Sequence, residues 1–283
     1  MSEVTSYLFE TNALKICPEN KPFWYTSGKI GPYFINTHFI YGSEEAANEL
    51  LKFIDAEKEN KESMPKKVYE KTMKQYRTNK IYKTVIDEMV EKIKQNINLD
   101  EIDFVSGGER RDWFFSYAVS NLLKKPHITI FKDLSTVITD EEGNNIQVDC
   151  ANKKVLHVAD LITEASSYIR AWIPAIKNMG SKIVWSIAVV DRMQGGKSKL
   201  ESEDIKSYEI IRVDNDLFNE ALKLGVINKE QLDMLVKFKS NPDETMRAFL
   251  IAHPEFLENA LKADEKTAGR AKLCIDGNLY NLQ

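Results

Sequence analysis

The chain has 283 residues, of which 43% are hydrophobic and 29% are charged, and this length is enough for one large domain or for a domain with an added lobe. The formal net charge of −4 argues against a general nucleic-acid binder, since phosphate contacts need clustered Lys and Arg, and no apolar run approaches the roughly 20 residues that span a membrane. The first residues lack a basic segment followed by an apolar run, so we expect no signal peptide and a cytoplasmic protein.

The first segment, to about Tyr41, is rich in turn-forming residues. Its centre at residues 26–34 reads TSGKIGPYF. Glycine and proline at this density predict a tight loop, and the apolar residues Tyr33, Phe34 and Ile35 predict a strand that follows it.

Residues 43–98 have a helical pattern, because apolar residues recur at spacings of three and four. Lysines are frequent between residues 58 and 83, which raises the alternative of a nucleic-acid patch. Glutamates are interspersed among these lysines, and this mixture is more typical of a solvated helix face.

Five apolar runs then alternate with helical segments. The runs are residues 102–106, 127–131, 154–159, 183–190 and 208–213. Such runs without strict polar alternation are typical of strands buried on both faces. Their alternation with helices, near residues 112–123 and 166–179, predicts an α/β fold with a mostly parallel, twisted sheet of about five strands flanked by helices. Residues 214–283 predict a helical extension.

Polar loops follow these predicted strands, at the sheet edge where α/β proteins bind ligands. The most informative loop is residues 160–167, where Asp160 is followed by Thr163, Ser166 and Ser167. Backbone amides, hydroxyls and a helix N-terminus at such a turn are suited to a phosphate group. The alternative is a plain helix cap, with Thr163 or Ser166 as the capping residue.

Three segments resemble a known family. VLHVADLITEASS at residues 155–167 resembles the ribose-phosphate signature of type I phosphoribosyltransferases, which is a hydrophobic strand, two acids, two apolar residues and a Thr/Gly-rich loop. SGKIGPYF at residues 27–34 and VDRMQGG at residues 190–196 are similar to two segments of orotate phosphoribosyltransferases. The likeness covers roughly residues 7–224 and is closest to the orotate enzymes.

The resemblance implies the type I phosphoribosyltransferase fold for residues 1–213. It implies a hood at about residues 1–41, a helical insertion at about residues 55–83 and an extension at residues 214–283 outside the family pattern. It also implies the residues that bind phosphoribosyl pyrophosphate (PRPP). These are Gly108, Arg110, Arg111, Asp160, Thr163, Glu164, Ala165, Ser166 and Ser167.

The same resemblance implies catalytic roles for Lys132, Asp133 and Asp160, and an Mg²⁺ carried mainly by pyrophosphate and hydroxyl oxygens with Asp160 nearby, directly or through water. It implies a homodimer, since the family's mobile loop often reaches a partner subunit. Residues 137–145 are expected to form this flexible excursion. The implied base-binding residues are Lys29, Phe34, Ile35 and Arg192. The Arg192 guanidinium would suit the carboxylate of orotate.

The implied reaction transfers ribose 5-phosphate from PRPP to a pyrimidine, with orotate as the acceptor, and gives orotidine 5′-monophosphate and pyrophosphate. Four departures from the family pattern motivate alternatives. Ala159 replaces the first acid, Ala165 replaces a glycine, Glu164 adds a carboxylate to the turn, and the loop after Phe131 lacks a Lys and a His. The alternatives are a catalytically impaired relative that serves as a nucleotide-binding regulator or scaffold, and a phosphoribosyltransferase for another base.

Overall fold

The computed structural model describes residues 3–282. The strands are, in chain order, β1 Leu14–Ile16, β2 Phe23–Trp24, β3 Ile30–Gly31, β4 Tyr33–Ile35, β5 Phe104–Gly108, β6 His127–Ile130, β7 Thr136–Thr139, β8 Lys154–Ile162, β9 Lys182–Asp191 and β10 Lys206–Arg212. The helices are α1 Glu3–Glu10, α2 Glu44–Glu57, α3 Met64–Thr78, α4 Lys80–Asn96, α5 Trp113–Leu123, α6 Ile173–Asn178, α7 Gly196–Glu201, α8 Asn215–Lys223, α9 Lys229–Ser240, α10 Pro242–Ala252, α11 Glu255–Leu261 and α12 Glu265–Asp276. No helix within residues 3–282 combines the length and the apolar character needed to cross a membrane.

The chain divides into two units. The first unit comprises the residues up to Ala13 and Thr37–Val213, and the second comprises Leu14–Asn36 and the residues from Asp214 onward. The division after Val213 falls where the sequence places the start of the C-terminal extension. Residues 14–36 of the predicted hood belong to the same unit as that extension.

A six-stranded sheet in the order β10-β9-β8-β5-β6-β7 forms the centre of the first unit. The five predicted strands are β5, β6, β8, β9 and β10, and they pair in parallel. This confirms the α/β fold with a mostly parallel sheet. The sixth strand, β7, pairs antiparallel with β6 at the sheet edge, so the prediction of a flexible excursion at residues 137–145 was wrong for its first part.

The strands are apolar because helices cover the sheet. β6 and most of β8 and β9 are buried along their length. α5 carries Trp113, Phe114, Phe115 and Tyr117, all of which are buried. Parallel pairing places the carboxyl ends of β5, β8 and β9 at one edge, with Ser106 opposite His157 and Ile162 opposite Asp191. Loops after these strands therefore converge.

Three helices, α2, α3 and α4, form the predicted helical region between residues 43 and 98. α2 begins after Ser43 and α4 after Asn79, and each of these side chains accepts a hydrogen bond from a backbone amide in the first turn. Such caps satisfy amides that have no partner within the helix. One face of α4 is buried, as its apolar spacing predicts.

The second unit joins the four short strands of residues 14–36 to the C-terminal helices. β1 pairs with β4, and β2 pairs with β3. Tyr33 packs against Phe218 and Phe238, with ring centroids 5.9 Å apart in both pairs. Trp24 stacks on Phe256 at 5.5 Å. The predicted helical extension is confirmed, and its helices contribute the aromatic rings that pack on these strands.

Candidate functional site

A cavity of about 300 Å³ lies in the first unit at the carboxyl edge of the sheet. Its volume is at the lower end of small-molecule sites. Two loops define most of its wall, and we call residues 107–112 the β5 turn and residues 160–167 the β8 turn. The lining residues with polar or charged side chains are Glu109, Arg110, Arg111, Asp112, Lys132, Asp160, Thr163, Ser166, Ser167 and Tyr168.

The β8 turn presents hydroxyls to this cavity. Thr163, Ser166 and Ser167 line it, and a π-helical turn at Tyr168–Trp172 follows before α6. Glu164 is exposed and its side chain lies outside the lining, so it favours the helix N-terminus and does not repel an anion from within the cavity. The sequence alone does not decide whether the Glu164 side chain points into or out of the turn.

Ala165 holds the unusual backbone conformation of the β8 turn. It lies in the left-handed region with a φ of 54°, although it is not glycine, and its side chain is buried. The carbonyl of Ala165 accepts a hydrogen bond from the amide of Ile169 at 3.2 Å. The turn therefore keeps a shape that glycine would adopt more easily.

The β5 turn brings two arginines to the cavity. Arg110 and Arg111 both line it, and the peptide bond between Glu109 and Arg110 is cis. Arg110 also forms an ion pair with Asp55 of α2. Gly108 lies beneath the lining, where a Cβ would come within 2.3 Å of the Trp172 ring. Only a glycine lets the strand end approach that ring so closely.

The two predicted catalytic residues after β6 point to different places. Lys132 lines the cavity, and its backbone amide donates a hydrogen bond of 2.8 Å to the Glu109 carboxylate. Asp133 lies outside the lining and forms an ion pair with Lys61, while its carboxylate accepts a hydrogen bond of 2.6 Å from the Ser135 hydroxyl. These contacts hold the pKa of Asp133 below its usual range.

Asp112 is a cavity residue that was not among the predicted site residues. Its carboxylate accepts hydrogen bonds of 3.0 Å from the backbone amides of Gly108 and Asp160. Asp112 lies directly before α5 and shortly after the Gly-Gly end of β5. This position is the feature of the sequence that could have identified it as a site residue. No local pattern indicates that its second partner lies 48 residues further along the chain.

Asp160 is buried at the centre of the site. Burial, followed by the negative charge of Asp112, raises the pKa of Asp160 to about 8, and the charge of Arg111 partly opposes this. Tyr168 also lies close, and burial raises its pKa well above the usual value. Two carboxyl groups in a buried site are costly unless one holds a proton or a cation binds between them.

The segment at residues 27–34 lies in the second unit and is engaged there by the C-terminal helices. Lys29 forms an ion pair of 2.7 Å with Asp243 of α10. Phe34 is exposed on β4, whereas Ile35 is buried, since neighbouring strand residues point to opposite faces. Of these two predicted base-binding residues, Phe34 alone presents its side chain to solvent.

Arg192 follows β9 in the first unit. Its amide donates a hydrogen bond of 2.9 Å to the carbonyl of Ile162, and the amide of Gly196 donates one of 2.9 Å to the carbonyl of Thr163. The VDRMQGG segment is thus tied by its backbone to the β8 turn. The base-binding roles of Arg192, Lys29, Phe34 and Ile35 stay predictions.

Curated proteins with similar sequences include several that are named orotate phosphoribosyltransferase. An orotate phosphoribosyltransferase of Pyrococcus horikoshii is 30% identical over 149 residues, which are 52% of this chain and 74% of that protein. The chain belongs to the orotate phosphoribosyltransferase family. The orotate phosphoribosyltransferase of Sulfolobus acidocaldarius is 26% identical over 166 residues, 56% of this chain and 77% of that protein. No family model matches the chain.

The fold agrees with membership of this family. The crystal structure of orotate phosphoribosyltransferase from Francisella tularensis aligns with a TM-score of 0.54 at 16% identity and covers 83% of this chain and 96% of that chain. The predicted resemblance to type I phosphoribosyltransferases is therefore confirmed at the level of family and fold. The chain is a divergent member, with Ala159 buried in β8 where the family pattern has an acid.

Proposed function

We propose that the chain transfers the phosphoribosyl group of PRPP to a pyrimidine base, with orotate as the acceptor, and releases pyrophosphate. The bond between C1 of the ribose and the pyrophosphate oxygen breaks, and its electron pair leaves with pyrophosphate. A bond forms between C1 and N1 of the base while the N1 proton is released to solvent, which gives orotidine 5′-monophosphate. The named function of the relatives supports this proposal.

One observation carries the proposal, namely that a single cavity combines cations with a hydroxyl-rich turn. Arg110, Arg111 and Lys132, from the loops after β5 and β6, line it, and so does the β8 turn, which begins at Asp160. The cations would stabilise the leaving pyrophosphate, and the hydroxyls of the turn would bind the 5′-phosphate. The protein's part would be orientation and charge stabilisation around an oxocarbenium-like state.

The residues of the cavity fit the magnesium ion that the resemblance implies. Asp112 and Asp160 both line it, and residues 3–282 contain no group of three or more side chains that would cage a metal on their own. Mg²⁺ is commonly held by one or two carboxylates together with substrate phosphates. Asp160 would hold the ion directly or through water, and the ion would neutralise charge on the pyrophosphate.

The test is a steady-state assay with PRPP, Mg²⁺ and orotate, read by orotate absorbance and by pyrophosphate release. We expect turnover in the unaltered protein. Lys132→Ala should lower kcat/KM by about 100-fold, since one preorganised charge at the leaving group is lost. Lys199→Ala is the matched control, because Lys199 is an exposed lysine outside the cavity lining. Equal activity of the two variants would contradict the role of Lys132.

A second candidate function is a nucleotide-binding regulator or scaffold without catalysis. The ion pairs of the predicted site residues favour it, since Arg110 pairs with Asp55, Asp133 with Lys61 and Lys29 with Asp243. PRPP binding in calorimetry without turnover would support this candidate. Absence of both binding and turnover would leave a structural role.

The acceptor base and the assembly need their own measurements. A panel of orotate, uracil and purine bases in the same assay tests whether the chain acts on another base. Sedimentation velocity tests the homodimer, which rests on the resemblance alone. The cytoplasmic location likewise stays a prediction.

A further inference from the structure

Asp112 connects two strand ends that its own sequence neighbourhood does not join. Its side chain is about nine-tenths buried, with 10% exposed. Oδ2 accepts a hydrogen bond from the backbone amide of Gly108, and Oδ1 accepts one from the backbone amide of Asp160, each 3.0 Å long. One carboxylate therefore holds the end of β5 and the end of β8 at a fixed separation.

A buried histidine faces the same carboxylate. Nε2 of His157 lies 3.4 Å from Oδ2 of Asp112, and the His157 ring is fully buried. Nδ1 of His157 shares a hydrogen bond of 2.9 Å with the Ser106 hydroxyl, whereas Nε2 makes no hydrogen bond within the described residues. Tyr168 and Trp172 pack on the ring. The Asp112 carboxylate is thus contacted by two backbone amides and by a His157 ring on which Tyr168 and Trp172 pack.

We propose that Asp112 is a positioning residue that sets the distance between the β5 turn and the β8 turn. The inference rests on the proposed function, in which the β5 turn contacts pyrophosphate and the β8 turn contacts the ribose 5-phosphate. A ligand that touches both turns depends on their separation, whereas a ligand that touches one turn does not. Misplacement by about 1 Å is enough to cost about 100-fold in a reaction that depends on orientation.

The substitution Asp112→Asn tests this role at constant size. An Asn side chain has one oxygen acceptor, so one of the two amides loses its partner. The remaining amide then donates to a neutral oxygen, which makes a weaker hydrogen bond than a carboxylate does. We expect the affinity for PRPP, which spans both turns, to fall by about 10-fold or more. The affinity for inorganic phosphate, which fits one turn, should change by less than about threefold, and the KM for orotate should stay unchanged.

Asp103→Asn is the matched control. The Asp103 carboxylate accepts a hydrogen bond of 2.8 Å from the backbone amide of Lys154. It therefore joins the same two strands, β5 and β8, at their amino ends. If Asp112 served only the stability of the β5–β8 pair, both variants would lose PRPP affinity alike. That result, or an unchanged PRPP affinity in Asp112→Asn, would overturn the proposal.

Hydrogen exchange of the unaltered protein keeps the proposal testable if Asp112→Asn fails to fold. The amides of Gly108 and Asp160 should both be protected, and exchange of either amide at the rate of an open loop would overturn the tie. Asp112→Glu should recover part of the PRPP affinity, because it restores a carboxylate with a longer reach. If the unaltered protein fails to bind PRPP, the proposed function fails, while the exchange measurement still decides whether Asp112 holds the two turns.

Discussion

The backbone conformation of Ala165 places strain on the β8 turn. A non-glycine residue in the left-handed region costs about 1–2 kcal/mol, because Cβ approaches the following carbonyl oxygen. The surrounding contacts hold Ala165 there, with its side chain buried beneath the β8 turn. The alanine that replaces the family's glycine therefore raises the energy of the turn, but the turn keeps the same backbone shape.

Replacement of Ala165 by glycine should stabilise the protein. Relief of the strain exceeds the extra entropy that glycine has in the unfolded chain, so we expect the free energy of unfolding to rise by about 0.5–1 kcal/mol. Urea unfolding measures it. Ala175→Gly in α6 is the control and should destabilise by about 1 kcal/mol, since glycine is unfavourable within a helix. A loss of stability in Ala165→Gly would contradict the strain.

Asp160 makes the stability of the protein depend on pH. Its folded pKa is raised to about 8 by burial and by Asp112, whereas an unfolded Asp has a pKa of about 3.9. Between these values the folded protein keeps a proton that the unfolded chain releases. This contribution to stability is therefore present below about pH 4 and is lost as the pH rises toward 8.

The variant Asp160→Asn should remove that dependence. Compared with the unaltered protein, its free energy of unfolding should fall less between pH 5 and pH 8, as measured by urea unfolding at both values. Asp133→Asn is the control, because the folded pKa of Asp133 is lowered and its linkage lies at more acidic pH. Parallel pH profiles for Asp160→Asn and the unaltered protein would show that Asp160 does not carry the raised pKa.

At the scale of elements, α3 holds the turn that follows β7. Lys66 donates a hydrogen bond of 2.8 Å to the carbonyl of Glu142, and the side-chain amide of Asn145 donates one of 2.9 Å to the carbonyl of Glu62, just before α3. The Asp140 carboxylate accepts the amides of Glu142 and Asn144, each at 2.9 Å. The sequence predicted both the helical insertion and a loop here, but only the structure shows that the insertion binds the loop.

Tyr280 joins the residues after α12 to β3. Its hydroxyl accepts a hydrogen bond of 2.8 Å from the amide of Ile30 and donates one of 3.3 Å to the carbonyl of Ile30. Tyr280→Phe leaves a buried amide without a partner, so we expect a loss of about 1–2 kcal/mol in the free energy of unfolding. Tyr208→Phe is the control, since its hydroxyl makes one exposed contact of 3.5 Å. Equal losses in the two variants would argue against the Tyr280 bond.

At the scale of the molecule, the local sequence pattern predicted the secondary-structure elements but did not predict contacts between residues that are distant in the chain. The apolar runs predicted the five parallel strands, because buried strands leave a strong signal. β7 was missed because three of its four residues are half-buried and it has the mixed pattern of an edge strand. The cavity residues of the β8 turn followed from the family motif, whereas the bond from Asp112 to Asp160 and the ion pair of Lys29 with Asp243 have no local signal.

The union of residues 14–36 with the C-terminal helices has a consequence for synthesis. Ile30 and Tyr280 are 250 residues apart, so the ribosome makes the strand long before it makes the side chain that satisfies its amide. The first unit is complete in sequence at Val213, whereas the second unit cannot be completed until α12 has been made. A paused or shortened chain would therefore expose the Trp24 and Tyr33 rings, and the segment made among the first becomes ordered among the last.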